Sequence, residues 1–384
     1  MKYSRFLFYL YVPLLLVFFW RTAVFWWNSR YEGVENTDLL LYSALAGVEL
    51  LSLFLILVST KKKKRDRRIH NVCFLWELIM LVVLIYNRSS ISACVKCLAW
   101  PLFFESAYLF VRLNPRLKDS FRKAFYLFVL LGATVFLGAM LRKSFGSQTN
   151  MIYFLILPTP VILLTRDTRW RNIVLIMITF LAVLSMKRSM ILSVVLFWVI
   201  VGCKFLFGGA KKGVAIAMSA VVLVAGYVSF KIVDNASGGF LSSRFDDDED
   251  DVTNGRETIY LVTLDMIASS SPLDLILGHG HNAVRADSIK EVSAHNEVLE
   301  IIYDYGIITL LVYLGLWGYV LRELFFHYRN DTVYFVPYTL TVCIFAVMAM
   351  VSQLVLYVSY FLYLVMFWGI VAANKEYSIN RYQN

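Results

Sequence analysis

The residues best suited to chemistry lie in one polar segment, residues 234–305, near the C-terminal end of the chain. Within it, His295-Asn296 precedes apolar residues at helical spacing, so we expect His295 in the first turn of a helix. The positive end of a helix disfavours imidazolium. His295 is therefore expected to be neutral and able to accept a proton. The alternative is a histidine that only caps or packs against that helix.

Arg256 opens an earlier stretch of the same segment that also has helical apolar spacing, which predicts an amphipathic helix over the membrane domain. A cation in the first turn of a helix is unfavourable, so its position indicates a nearby anion or carboxylate. The acidic run 246–251 is the alternative partner. That run lacks the spacing and the glycine of a calcium-binding loop, and we expect it to be a solvated charge run.

The rest of the chain is typical of a membrane protein. Of its 384 residues 59% are hydrophobic, and apolar runs of roughly 17–25 residues recur, the length of a transmembrane helix. Backbone groups in lipid must be hydrogen-bonded internally, so these spans should be α-helices. The predicted fold is an all-α polytopic membrane protein with about twelve transmembrane helices and one long outer loop containing short helices. The candidate spans are about 6–27, 38–59, 70–87, 91–112, 122–141, 150–165, 171–186, 189–207, 213–233, 306–326, 332–351 and 354–373.

Basic residues beside the spans predict the orientation of the chain. Residues 61–68 carry seven basic side chains and are expected in the cytoplasm, because short cytoplasmic loops are rich in Lys and Arg. Alternating from there, both termini are cytoplasmic, and residues 234–305 lie outside between the regions 1–233 and 306–384. Lys187-Arg188 also falls outside, against the usual bias. These two cations are expected either to bind an anionic substrate or to reach lipid headgroups.

Charge and cysteine content exclude other classes. The net charge is +10, but the basic residues cluster beside spans and no basic-aromatic nucleic-acid module is present. The five cysteines lie in or beside apolar runs, and no second pair or histidine cluster completes a zinc site with Cys94 and Cys97. We therefore expect no nucleic acid, no metal and no cofactor.

The motifs of the outer segment resemble the O-antigen polymerase and O-antigen ligase superfamily. The resemblance covers about fifty residues and rests on the order and spacing of short elements: Arg256, Pro272-Leu273, Gly278-His279-Gly280, His295-Asn296 with Leu299, and Gly306-Ile307. Many spans with one long outer loop before the last few are also similar to the family. The acidic run 246–251 is not part of the family pattern, and we expect it to point into solvent.

The resemblance implies a metal-independent membrane glycosyltransferase of the class C type. Its donor would be an undecaprenyl-diphosphate-linked oligosaccharide at the outer face of a bacterial cytoplasmic membrane. Carried over to this chain, Arg256 would bind the donor diphosphate and His295 would act at the acceptor. Arg188, with Lys187 beside it, matches a basic feature of an earlier outer loop of the family. Gly278, Gly280 and Asn296 are further expected substrate-binding residues.

Several alternatives stay open at this stage. A polymerase, which extends a lipid-linked repeat unit, is favoured over a ligase, which transfers the glycan to lipid A-core. A lipid-linked oligosaccharide flippase is expected to have paired repeats and only short loops, so the long outer segment argues against it. A chain-length regulator or a flippase is the expected protein partner. Tyrosines and tryptophans near the outer interface are expected either to stack on sugars or to anchor the lipid.

Overall fold

The computed structural model describes residues 2–28, 38–59, 67–141, 145–165, 167–185, 187–207, 256–288 and 292–382, and the single positions 227, 231, 234 and 235. All regular structure in these ranges is helical. The helices are α1 Lys2–Asn28, α2 Leu39–Ser59, α3 Arg67–Tyr86, α4 Ile91–Leu113, α5 Leu117–Leu141, α6 Phe145–Ile156, α7 Thr159–Ile162, α8 Thr168–Leu184, α9 Arg188–Phe207, α10 Arg256–Ala268, α11 Pro272–Leu277, α12 Ala283–Asp287, α13 Glu297–Arg329, α14 Phe335–Val351 and α15 Val358–Tyr382.

The helical, polytopic character predicted from the sequence is confirmed. Seven described helices are long and apolar enough to cross a membrane, namely α1, α2, α3, α4, α5, α13 and α15. The α6–α7 region and α14 are shorter apolar helices. The predicted number of twelve spans is not confirmed, and most of the predicted ninth span, 213–233, lies outside the described residues. The basic run 61–66 and the acidic run 246–251 also lie outside them.

Two helices, α4 and α15, form the centre of the bundle. Their apolar windows are 78% and 89% buried, against 33–44% for the other five long spans. Gly369 of α15 permits this packing, because a Cβ there would lie 2.5 Å from the Phe104 carbonyl oxygen of α4. Trp100 and Trp368 are fully buried beside this crossing. Because the surrounding helices bury most of α4 and α15, residues at the N-terminal end of α15 are held in fixed positions.

Polar contacts between helix ends agree with the predicted orientation. Lys204, near the end of α9, binds Asp331 in the turn after α13 at 2.7 Å, and the sequence predicts both positions on the cytoplasmic side. Lys375 binds Glu323 at 2.9 Å on that same side. The hairpin turn predicted near Ser352 is confirmed, because α14 ends at Val351 and α15 begins at Val358.

Candidate active site

One open cavity lies where four helix ends meet the outer segment. Its empty volume, including the part open to solvent, is about 350 Å³. The lining residues are Asn150, Tyr153, Lys187, His295, Met348, Ser352, Tyr357 and Tyr360. They come from α6, the turn before α9, the loop before α13, the end of α14, the start of α15 and the turn between these two helices. The orientation predicted from charge puts each of these positions at the outer end of its span, so the sequence and the structure agree on which ends converge.

The backbone around His295 is held at several points. His295 has a positive φ of 51°, and the helix begins only at Glu297. The prediction that His295 lies in the first helical turn is therefore wrong. The reason is Asn296, whose side-chain oxygen accepts from the amides of Val298 and Leu299 at 3.0 and 3.2 Å. Asn296 is thus the N-cap, and its predicted role in substrate binding stays a prediction.

Two further contacts fix the position of His295. The amide of Ala294, just before it, donates to Glu300 at 2.6 Å. Tyr260 of α10 donates its hydroxyl to the His295 carbonyl at 3.3 Å and to the Met350 carbonyl at 3.1 Å. A side chain whose backbone is tied on both sides is placed in advance of the reaction, which is what a catalytic group requires.

Three buried carboxylates on one face of α13 accept hydrogen bonds from the segments around His295. Glu297, Glu300 and Asp304 are spaced i, i+3 and i+7, and each is at most 1% exposed. Glu297 accepts from the Val355 amide in the α14–α15 turn and from the Tyr313 hydroxyl. Asp304 accepts from the amides of Asn282 and Val284 at 3.0 and 2.8 Å. Together they join α13 to the loop before it, to α12 and to the turn that carries Tyr357.

Lys187 brings a positive charge to the cavity. Its Nζ donates to the side-chain oxygen of Asn150 at 2.8 Å and lies 5.5 Å from the centre of the Tyr153 ring. Lys187 lines the cavity, and its predicted role in substrate binding stays a prediction. Arg188, the first residue of α9, is not among the lining residues, and its predicted catalytic role stays a prediction.

Arg256 begins α10, as predicted, one helical turn before Tyr260. Residues four apart lie on the same face of a helix, so Arg256 lies on the face that reaches His295. Within the described ranges its guanidinium has no salt-bridge partner. Arg256 is not among the residues that line the cavity, and its predicted role in binding the donor diphosphate stays a prediction.

The Gly-x-Gly element has a structural role. All three backbone amides of this element donate to backbone carbonyl groups. The amide of Gly278 donates to the carbonyl of Asp274, that of His279 to the carbonyl of Tyr303 at 2.9 Å, and that of Gly280 to the carbonyl of Asp304 at 2.8 Å. Amides that are used in this way do not bind phosphate. The substrate-binding role expected of Gly278 and Gly280 stays a prediction that this geometry does not favour.

Gly306 allows α11 to cross closely over α13. It has φ 80° and ψ 171° inside α13, where it kinks the helix, and a Cβ there would overlap the carbonyl oxygen of Ile276. We expect Gly306→Ala to lower the free energy of unfolding by at least about 2 kcal/mol, since strained backbone alone costs about 1–3 kcal/mol. Denaturant unfolding in mild detergent measures this. Gly318→Ala is the matched control, because a Cβ there has nothing within 4 Å. An equal loss in the two variants would contradict the proposed crossing.

His281, a further histidine of the outer segment, is half-buried against Tyr305 and Cys97. Nδ1 of His281 lies 2.5 Å from the Tyr305 hydroxyl and 3.8 Å from Cys97 Sγ. Burial lowers the pKa of His281 to about 4, and the positive charge of Lys96 adds to the effect. His281 is therefore neutral in the folded protein across ordinary pH.

This burial predicts a loss of stability in acid. Between pH 6.5 and about 4 the unfolded chain protonates His281 while the folded protein does not, so stability falls as pH falls through that window. We expect His281 to account for about 2 kcal/mol of the loss between pH 7 and pH 5. His281→Asn retains an acceptor for the tyrosine but does not titrate. Denaturant unfolding of both proteins at the two pH values measures the difference, and identical acid losses would rule out this role.

The described residues contain no group of three or more His, Cys, Asp and Glu side chains that could hold a metal ion. The acidic run 246–251 lies outside that part of the chain. Independence from metal accordingly stays an expectation.

Comparison with known proteins finds a match in the segment that carries the predicted ionisable site residues. Residues 173–314 match the family described as O-antigen ligase. The resemblance to the O-antigen polymerase and ligase superfamily is confirmed. The matched segment includes Lys187, Arg188, Arg256 and His295, the four ionisable residues predicted for the site. No curated protein and no solved structure matches the chain.

Most residues that line the cavity lie outside the segment that matches the O-antigen ligase family. Lys187 and His295 come from within residues 173–314, but the other lining residues lie before or after it. Sequence reasoning missed these residues, which are Asn150, Tyr153, Met348, Ser352, Tyr357 and Tyr360. All six lie inside or directly beside predicted membrane spans, so only the packing of α6, α14 and α15 brings them to His295.

Proposed function

We propose that this protein is a bacterial surface-polysaccharide polymerase. It transfers a glycan from undecaprenyl diphosphate to a lipid-linked repeat unit at the outer face of the cytoplasmic membrane. The observation that carries the proposal is the cavity in which His295 and Lys187 meet. A cation for a diphosphate and an imidazole for a hydroxyl proton are the two groups that this transfer needs.

Each of these side chains suits one part of the proposed chemistry. Lys187 and Arg256 bind the diphosphate of the donor and stabilise the negative charge that it gains as leaving group. Arginine suits this role because its planar fork bonds two phosphate oxygens at once. His295 takes the proton of the acceptor hydroxyl. The acceptor oxygen then bonds to the anomeric carbon, and the bond from that carbon to the diphosphate oxygen breaks.

This mechanism needs no divalent cation, because side-chain cations neutralise the leaving group. We expect the purified protein to retain its transfer rate in excess EDTA. The measurement is elongation of lipid-linked repeat units in nanodiscs, with and without chelator. Loss of activity that magnesium restores would contradict the proposal and direct attention to the run 246–251.

A ligase is the second candidate, and the description of the matched family as O-antigen ligase favours it. Both enzymes use the same donor and the same leaving group. Deletion of the gene separates them. Cells that lack a polymerase make lipid A-core capped with single repeat units, as we expect here. Cells that lack a ligase retain full-length polymer on undecaprenyl diphosphate and cap nothing.

A further inference from the structure

The cavity that contains His295 also has an aromatic lining. We call Tyr153, Tyr357 and Tyr360, which all line the cavity, the tyrosine wall. The rings of Tyr153 and Tyr360 are 4.9 Å apart with an interplanar angle of 47°, and those of Tyr357 and Tyr360 are 6.0 Å apart at 45°. Successive rings are therefore in contact and tilted against each other.

The wall is rigid. Tyr360 packs against Phe154 at 5.4 Å, and the Tyr153 hydroxyl lies 3.1 Å from the Ser189 hydroxyl. The turn that carries Tyr357 is fixed by the hydrogen bond from the Val355 amide to the buried Glu297. Rings held in this way lose little entropy when a ligand stacks on them.

The position of the wall favours one of the two roles left open for interfacial tyrosines. A tyrosine that anchors the protein in lipid is expected to face outward at the membrane surface. Tyr153 and Tyr360 are only 4% and 5% exposed and instead line the cavity. The wall is therefore placed for a ligand that enters the cavity and not for the surrounding bilayer.

The ligand chemistry that fits is a sugar ring. One face of a pyranose carries mainly C–H bonds, which are apolar and slightly positive, and this complements the negative face of an aromatic ring. The sugar hydroxyls need polar partners, and Asn150 and Ser352 line the same cavity. A phosphate is repelled by aromatic faces and is better served by Lys187, whose Nζ lies at the Tyr153 end of the wall.

We propose that the tyrosine wall binds a pyranose ring of the glycan on its half-buried member, Tyr357, backed by Tyr153 and Tyr360, and holds it beside His295. The inference rests on the proposed function, and it names the part of the substrate that this side of the site recognises. It makes the wall responsible for binding sugar, and Lys187 responsible for binding diphosphate.

The test is direct binding of two soluble probes to the purified protein in nanodiscs. The first probe is the free repeat-unit oligosaccharide, released by mild acid from lipid-linked units of cells that lack this protein. The second is inorganic pyrophosphate. Tyr357→Leu should bind the oligosaccharide roughly three- to ten-fold more weakly, the range for loss of one aromatic contact. Its pyrophosphate binding should be unchanged. Lys187→Gln should show the reverse pattern.

The controls separate ring stacking from folding. Tyr357→Phe and Tyr357→Trp retain an aromatic face and should bind the oligosaccharide within about two-fold of the wild type. Tyr86→Leu removes an exposed tyrosine at the outer end of α3, outside the cavity lining, and should change neither probe. Unchanged oligosaccharide binding in a folded Tyr357→Leu protein, or equal weakening of both probes, would overturn the inference. Wild-type protein that binds the oligosaccharide but transfers no glycan would overturn the proposed function and leave the wall as a sugar site.

Discussion

His295→Gln is expected to lower the rate of glycan transfer by roughly 10²–10⁴-fold, the usual contribution of a general base. Glutamine is neutral and of similar size but cannot accept the acceptor proton. The backbone contacts of His295 involve its neighbour Ala294 and its own carbonyl, so the substitution leaves them in place. The measurement is the initial rate of elongation by purified protein in nanodiscs, together with binding of pyrophosphate, which should be unchanged.

His279→Gln is the matched control. His279 belongs to the same outer segment and contacts Ser270 and the Tyr303 ring, but it does not line the cavity. This variant should keep most of the activity. In His295→Ala, added imidazole should restore part of the rate because it can occupy the vacated space and accept the proton. A folded His295→Gln protein with the wild-type rate would exclude His295 from the mechanism.

Arg256→Ala is expected to reduce transfer by roughly 10²–10³-fold, the effect of removing one preorganised group that stabilises developing negative charge. Arg256 begins α10, and Tyr260 on the same face reaches the His295 backbone. Pyrophosphate binding should weaken in parallel, which separates this variant from His295→Gln. Both the elongation rate and the pyrophosphate affinity are measured on the same nanodisc preparation.

Arg256→Lys should restore only a small part of the activity, because lysine retains the charge but loses the two-pronged bond. Arg285→Ala serves as the control, since Arg285 is another arginine of the outer segment but lies on α12 and not on the face of α10 that carries Tyr260. Full activity of the lysine variant would mean that charge alone is needed. Full activity of the alanine variant would assign Arg256 to a structural role, such as pairing with the acidic run 246–251.

The fold was predictable where hydrophobicity decides it. Long apolar runs gave the positions of α1 to α5 to within a few residues, because a span must match the thickness of the bilayer. The turn near Ser352 followed from a run too long for one span. The interruption between α6 and α7, just before Thr159, was not predicted, because it lies inside an apolar run that is read as continuous from composition alone.

The site was predictable only in its ionisable groups. Lys187 and His295 carried a signal because a charge and an imidazole are unusual among apolar spans. The acidic face of α13 had a signal too, since the i, i+3, i+7 spacing of Glu297, Glu300 and Asp304 places them on one helix face. The hydrogen bonds that these carboxylates accept could not be predicted, because the donor amides, such as those of Val355 and Asn282, are distant in sequence. Asn296 caps the helix, which therefore begins at Glu297, after His295. The left-handed backbone conformation of His295 was not predicted from the sequence.

The most direct test of the central claim is to block the cavity chemically in intact cells. The test protein has its five native cysteines replaced and a single cysteine at Ser352, which lines the cavity. A bulky, membrane-impermeant maleimide added from outside should label this cysteine and stop polymer formation. Accumulated lipid-linked repeat units should slow the labelling.

A single cysteine at Leu273, an exposed position of α11 outside the cavity lining, is the control. It should be labelled from outside without loss of polymer. If Ser352→Cys is labelled only after the membrane is opened, or is fully labelled from outside while polymer continues to form, then the cavity at His295 is not the active site at the outer face.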